Sequence, residues 1–186
     1  MAKRSPLPPE GPVPRRGSDH VFFVGFNGAG KSTLARNLGS MFNRRFVDTD
    51  RLCERKSGMT VAQMFRIDGE ARFRKIETQV LRSLMYDRSL LVSCGGGIVE
   101  TPANIKLMHE MGYVVYLDGD LDDSLRQMRR RDTRPDVRSP RHAAHLLRRR
   151  RPLYRAAADF TVDIRGKSFV EVSYAVAELL LDRGLL

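Results

Sequence analysis

Residues 21–32 read VFFVGFNGAGKS, four apolar residues running directly into a glycine-rich turn that ends in lysine and serine. An unbroken apolar run bounded by glycine is how a strand buried on both faces of a parallel sheet reads. From Lys31 to Phe42 the residues Leu34, Leu38 and Met41 recur at helical spacing, so the turn joins a strand to a helix. In that setting Gly25 to Ser32 fits G-x-x-x-x-G-K-[ST], a phosphate-cradling loop. Its glycines let the backbone curl so that successive N–H groups and the helix N-terminus face a phosphate. Lys31 would reach the β and γ phosphates, and Ser32 Oγ would bind Mg²⁺. The expectation is a nucleoside triphosphate, with ATP contacted by Asn27, Gly28, Ala29, Gly30, Lys31, Ser32 and Thr33. A chance glycine turn is the bland alternative, and the strand-to-helix setting argues against it. The loop alone does not separate a kinase from a GTPase, a helicase or an ATP-driven switch.

Outward from the loop the alternation repeats. RRFVD (44–48) reads as a short strand, Ala71 to Met85 places Phe73, Ile76, Val80 and Leu84 on one helical stripe, and Leu90 to Ser93 is another strand. Thr101-Pro102 offers an N-cap followed by proline at the first helical position, opening a helix to Met111. Tyr113 to Leu117 reads as a strand, Leu121 to Arg131 as a helix, and Phe160 to Asp163 as a last short strand. Ser168 and Glu171 form a capping-box pattern ahead of a C-terminal helix. Strands alternating with helices predict an open parallel α/β sheet, with ligands beyond the carboxyl ends of the strands.

A chain of 186 residues, 41% hydrophobic, suits one well-buried domain. Prolines and basic residues crowd the first positions, so residues 1–19 are expected to be a disordered tail and residues 20–186 the domain. The formal charge is +11, and nearly all of it falls between Arg126 and Arg155. Basic charge confined to one segment points to a local anionic ligand more than to a nucleic-acid surface. Cys53 and Cys94 form neither a disulfide framework nor a metal knuckle, which fits a reducing cytoplasm. No apolar run approaches the ~20 residues of a membrane span.

The acceptor side is suggested by three weaker signals. FVDTD (46–50) projects two carboxylates, Asp48 and Asp50, from the end of a strand. A turn or an Asp50 helix cap is the plain reading, and a metal ligand beside an acceptor-hydroxyl partner is the functional one. SCGGGIV (93–99) carries three glycines, whose entropy cost implies a flexible loop, a strained turn or a close backbone approach. Arg74, in GEARFRKIE (69–77), sits beside the apolar stripe of its helix, where a solvated arginine is the ordinary expectation.

Taken in order, GFNGAGKS, VDTD, DGEARFRKIE, SCGGGIV, TRP and RRRRPLYR resemble the shikimate kinase family, small phosphate-loop kinases related to nucleoside monophosphate kinases. The resemblance runs from Val21 onward. It implies a three-layer α/β/α fold with a central parallel five-stranded sheet of the P-loop NTPase type, and transfer of the ATP γ-phosphate to the 3-hydroxyl of shikimate. By this resemblance Lys31 and Ser32 match the phosphate-binding lysine and the Mg²⁺-binding hydroxyl. Asp48 matches the acid that holds Mg²⁺, with Ser93 nearby, and Asp50 the residue that bonds the shikimate hydroxyls and receives the acceptor proton. Arg74 and Arg150 match the pair gripping the shikimate carboxylate, and Gly95, Gly96 and Gly97 line the same pocket. Arg134 matches the arginine of a lid, at about 132–147, that closes over the transferring phosphate.

These roles suit the chemistry. A loose phosphoryl-transfer transition state spreads negative charge over equatorial oxygens, so catalysis is mainly positioning plus cations. Guanidinium forks bind a carboxylate in one plane as lysine cannot. The lid motif here reads RPDV where the family commonly has two aliphatic residues after Arg-Pro, and the stretch from Arg134 to Arg150 is short. The adenine contact falls among Arg126, Arg129 and Arg130. Counting back from Pro-Leu-Tyr selects Arg150 for the substrate, and a one-residue slip selects Arg149 or Arg151. A kinase of the same fold acting on gluconate is the alternative enzyme. A basic nucleotide-binding protein contacting nucleic acid is the alternative from another class, disfavoured because only Tyr154 interleaves the arginines. The expected partners are therefore shikimate and ATP, without nucleic acid or membrane, and the expected state is a monomer.

Overall fold

The alternation of apolar residues along β1 (His20–Val24) explains the layering, because successive side chains of a strand point to opposite faces. Phe22 and Val24 enter a core with Leu81, Met108, Met111 and Tyr154, whereas Val21 and Phe23 enter a second core with Leu34, Leu38, Val172 and Val176. A strand apolar on both faces must be covered on both, which produces three layers. We describe this in a computed structural model covering residues 11–14, 16–122, 124–125 and 139–186.

Among the described residues the order is β1, α1 (Lys31–Met41), β2 (Phe46–Asp48), α2 (Thr49–Ser57), α3 (Val61–Ile67), α4 (Gly69–Ser83), β3 (Leu91–Ser93), α5 (Pro102–Met111), β4 (Gly112–Asp118), α6 (Pro140–Ala157), β5 (Phe160–Asp163) and α7 (Phe169–Asp182). The five strands form one sheet ordered β2-β3-β1-β4-β5, every pair parallel. This is the expected five-stranded parallel α/β/α fold. A third apolar cluster, Cys53, Met64, Phe73, Ile76 and Val80, binds α2, α3 and α4 into a lobe beside the sheet.

Most local signals hold. Ser168 and Glu171 form the reciprocal capping box of α7, and Pro102 opens α5. Thr101 is the N-cap residue of α5 but its side chain makes no capping bond. Met41 is 59% exposed because the helical stripe ends one turn before α1 does. Helix α3 was not anticipated, although Thr60 and Gln63 form a second capping box in front of it. Leu121, Asp122, Ser124 and Leu125 are helical, and the rest of the helix expected to Arg131 lies outside the described residues.

The expected tail is shorter than residues 1–19 at its described positions. Val13 is buried in the second core and its N–H donates to Arg183 O. Pro14 O accepts from Tyr113 Oη, and Arg16 pairs with Asp159 at 3.0 Å while lying over the Tyr113 ring. Proline-rich chain is already extended, so little entropy is lost when it docks along a surface.

Candidate active site

The site begins where β1 ends. Gly28 and Gly30 both have φ 84°, the left-handed region that favours glycine, and a Cβ on Gly28 would overlap the Ser124 carbonyl. The turn delivers Lys31 as the first residue of α1. Its side chain is buried, and Nζ donates to Gly25 O and Phe26 O at 2.8 Å each. The loop's own carbonyls thus hold the ammonium over the loop.

Strand register brings the next groups together. Asp48 lies opposite Ser93, and Ser93 opposite Phe23, all at the carboxyl edge of the sheet. Ser32 Oγ donates to Asp48 Oδ2 at 2.7 Å and lies 2.9 Å from Ser93 Oγ. Two hydroxyls and a carboxylate therefore converge from α1, β2 and β3. An all-oxygen set suits a hard divalent cation such as Mg²⁺, whose other ligands are usually phosphate and water. Among the described residues no group of three His, Cys, Asp or Glu could hold a metal unaided.

Asp48 has a second task. Its Oδ1 accepts from the N–H groups of Asp50 at 3.1 Å and Arg51 at 3.3 Å, making it the N-cap of α2. The cap thus belongs to Asp48, and Asp50 stands in the first turn, where the helix dipole favours an acid.

The triple glycine explains itself in space. A Cβ on Gly95 would run into Asp50 Oδ1, one on Gly96 into Asn27 Oδ1, and one on Gly97 into the Arg74 guanidinium. At Gly96 the same Cβ would also lie 3.5 Å from Arg150 Nη1. Three successive glycines are needed because three polar side chains press against one stretch of backbone. Thr49 Oγ1 accepts from Gly95 N at 2.9 Å, and Tyr154 Oη donates to Gly96 O, fixing the loop from both sides. Asn27, expected at the nucleotide, has its side chain on this acceptor loop.

The four arginines of α6 separate. Arg150 is 1% exposed and its Nη2 donates to Glu100 Oε2 at 3.0 Å, while the Arg149 side chain is 52% exposed and bonds Glu100 Oε1 from outside. Arg151 turns to Gly119 O at 2.9 Å and toward Asp118, which Arg155 and Tyr116 also contact. Burial works to raise the Asp118 carboxyl, but Arg155 and Tyr116 bonds more than offset it and hold it below the usual range. Arg148 is exposed. The helical register thus sends one arginine to each side, and the buried one is Arg150.

Arg74 is held by three acids. It bonds Glu70 through Nε and Nη2, Glu77 Oε2 through Nη1 at 3.0 Å, and Glu100 Oε2 through Nη2 at 3.0 Å. Glu77 is fully buried, and burial pushes its carboxyl up to about 7 against the pull of Arg74. Sequence reasoning did not single out Glu70, Glu77 or Glu100. The first two stand at i−4 and i+3 from Arg74, a spacing that places side chains together on one helix. Glu100 had no local signal, since it meets Arg74 and Arg150 only through the fold. Arg134, the lid positions 132–138, and Arg126, Arg129 and Arg130 lie outside the described residues. Lid positions 140–147 form the first turns of α6, and Ser139 caps them.

Comparison with known proteins settles the kinship. The family model described as shikimate kinase matches residues 27–181. The chain belongs to the shikimate kinase family. It is 37% identical to the shikimate kinase of Halorhodospira halophila over 168 residues, covering 89% of this chain and 95% of that protein. It is 34% identical to the shikimate kinase of Dehalococcoides mccartyi over 164 residues, covering 87% and 93%. A solved shikimate kinase from Acinetobacter baumannii in complex with shikimate matches with a TM-score of 0.82 and 32% identity, covering 87% of this chain and 92% of that one. The fold is therefore shared with that shikimate kinase along nearly the whole chain.

Proposed function

We propose that this shikimate kinase family member transfers the γ-phosphate of ATP to the 3-hydroxyl of shikimate, giving shikimate 3-phosphate and ADP. It is an ATP-dependent kinase of aromatic amino-acid biosynthesis. The observation that carries the acceptor assignment is the glycine loop, where Asp50, Arg74 and Arg150 crowd one three-residue backbone beside the phosphate loop. A hydroxy acid needs those groups: an aspartate at its hydroxyls and guanidinium forks at its carboxylate.

In this reading the loop N–H groups of residues 27–33 and Lys31 bind the phosphates. Ser32 and Asp48 would hold Mg²⁺, which supplies charge neutralisation at the transferring phosphoryl group when bound. Asp50 orients the acceptor hydroxyl and takes its proton as the oxygen attacks phosphorus. Arg74 and Arg150 bind the acid group, and the Gly95–Gly97 backbone closes the wall. Arg134 covers the phosphate from a lid near 132–147, excluding water that would hydrolyse ATP. Among the described residues no helix is long and apolar enough to cross a membrane. We assign the protein to the cytoplasm as a monomer.

The test is ADP release with Mg-ATP across a panel of hydroxy acids. ADP is expected with shikimate and not without it. Turnover of gluconate without turnover of shikimate would overturn the assignment.

A further inference from the structure

Glu100 occupies an unexpected place. Its Oε2 accepts at 3.0 Å from Nη2 of Arg74 and at 3.0 Å from Nη2 of Arg150. Its Oε1 meets Arg149. A protein carboxylate thus lies between the two guanidinium groups that the functional reading assigns to the carboxylate of the acceptor, and its side chain is 15% exposed.

The surrounding charges make this consequential. Among the described residues Arg74, Arg149 and Arg150 pair with Glu70, Glu77 and Glu100, three cations against three acids when all are ionised. Arg74 is heavily committed: Nε, Nη1 and Nη2 all donate to protein carboxylates. A further carboxylate entering a balanced cluster gains little net attraction. It gains much more if it takes over bonds that a resident acid releases, because charge-assisted bonds are then exchanged and no guanidinium is left unpaired. Glu70 and Glu77 lie on α4 with Arg74, one turn away on either side. Glu100 comes from the short helical turn Ile98–Glu100 behind the glycine loop, and its exchange leaves the helix pairs intact.

We propose that Glu100 is a resident stand-in for the acceptor carboxylate: it keeps Arg74 and Arg150 aligned as a fork in the free enzyme and is displaced when the acceptor binds. It is a positioning and specificity-determining residue, since a ligand must carry its own carboxylate to replace it. Neutral polyols leave Glu100 in place and have nothing to exchange. This inference rests on the shikimate reading and on the roles given to Arg74 and Arg150.

Two measurements test it. The wild-type enzyme is first assayed with shikimate, so that failure of the functional reading appears as no turnover at all. In Glu100→Gln, an acceptor oxygen remains but the competing charge is gone. The shikimate KM is expected to fall about three- to tenfold, with kcat and the ATP KM within about twofold, and the rise in Tm on adding shikimate is expected to exceed that of wild type. An unchanged or raised shikimate KM, with normal wild-type turnover, would refute the exchange. The second measurement needs no variant. In a crystal structure of the wild-type chain with shikimate, Glu100 Oε2 is expected to have left hydrogen-bonding distance of at least one of Arg74 Nη2 and Arg150 Nη2. Retention of both bonds beside a bound acceptor would overturn the proposal.

Discussion

The phosphate loop and the acceptor pocket lie side by side and are built in opposite ways. The loop is eight consecutive residues whose glycines and lysine do their work through local backbone geometry, and only Ser32 reaches out, to Asp48 and Ser93. Lys31 is held by Gly25 O and Phe26 O, six and five residues away. The pocket draws Asp50 from α2, Arg74 from α4, the glycines from the turn after β3, and Arg150 from α6. The bond from Arg150 to Glu100 spans fifty residues. A site made of backbone tolerates little variation in sequence but depends little on distant packing. A site made of charged side chains from three helices around a glycine turn depends on every element that aligns them.

The contrast predicts where single changes act. Asp50→Asn is expected to lower kcat by about a thousandfold, as loss of a positioned base does, with ATP binding within twofold. Nucleotide titration of the variant checks this, and loss of ATP binding would move Asp50 to the other region. Lys31→Ala is expected to cost about a hundredfold or more in kcat and to weaken ATP binding as well. Gly97→Ala pushes a methyl into the Arg74 guanidinium, so the shikimate KM is expected to rise about ten- to a hundredfold while the ATP KM stays put. Arg150→Lys is expected to raise the shikimate KM about tenfold, and Arg149→Lys by no more than about twofold, because only Arg150 is buried against the glycine loop. Equal effects would mean that the register of α6 does not select one arginine.

The smallest effect concerns stability. The Glu77 carboxyl is held up at about 7, above the range of an unfolded glutamate, so the native state binds more protons than the unfolded state between about pH 4.5 and 7. Its contribution is therefore fully present at the acid end and is lost as pH rises through about 7. Urea unfolding at pH 5.5 and 8 is expected to show that Glu77→Gln costs less relative to wild type at pH 8 than at pH 5.5. A difference that does not change with pH would contradict the buried carboxyl.

Much of this was legible from residues alone. Every strand was found because each is short, apolar and bounded by turn residues or helices, and the phosphate loop was found because its chemistry is contiguous. The cost of three glycines implied a close approach without saying to what. Asp48 as helix cap was missed because the D-x-D spacing suits either acid, and only the backbone path of α2 chooses between them. Glu100 was invisible, since nothing within several residues of it marks a carboxylate that will meet two arginines.

The order of motifs along the chain determined the fold class, the phosphate loop and the set of residues competing for each role. The tertiary structure decided which competitor won: Asp48 for the cap, Arg150 among four arginines, and Glu100 as the acid between Arg74 and Arg150. The physical reason is range. Propensity, capping and glycine geometry act within a turn or two of chain, whereas burial and charge pairing are settled only when distant segments share one volume.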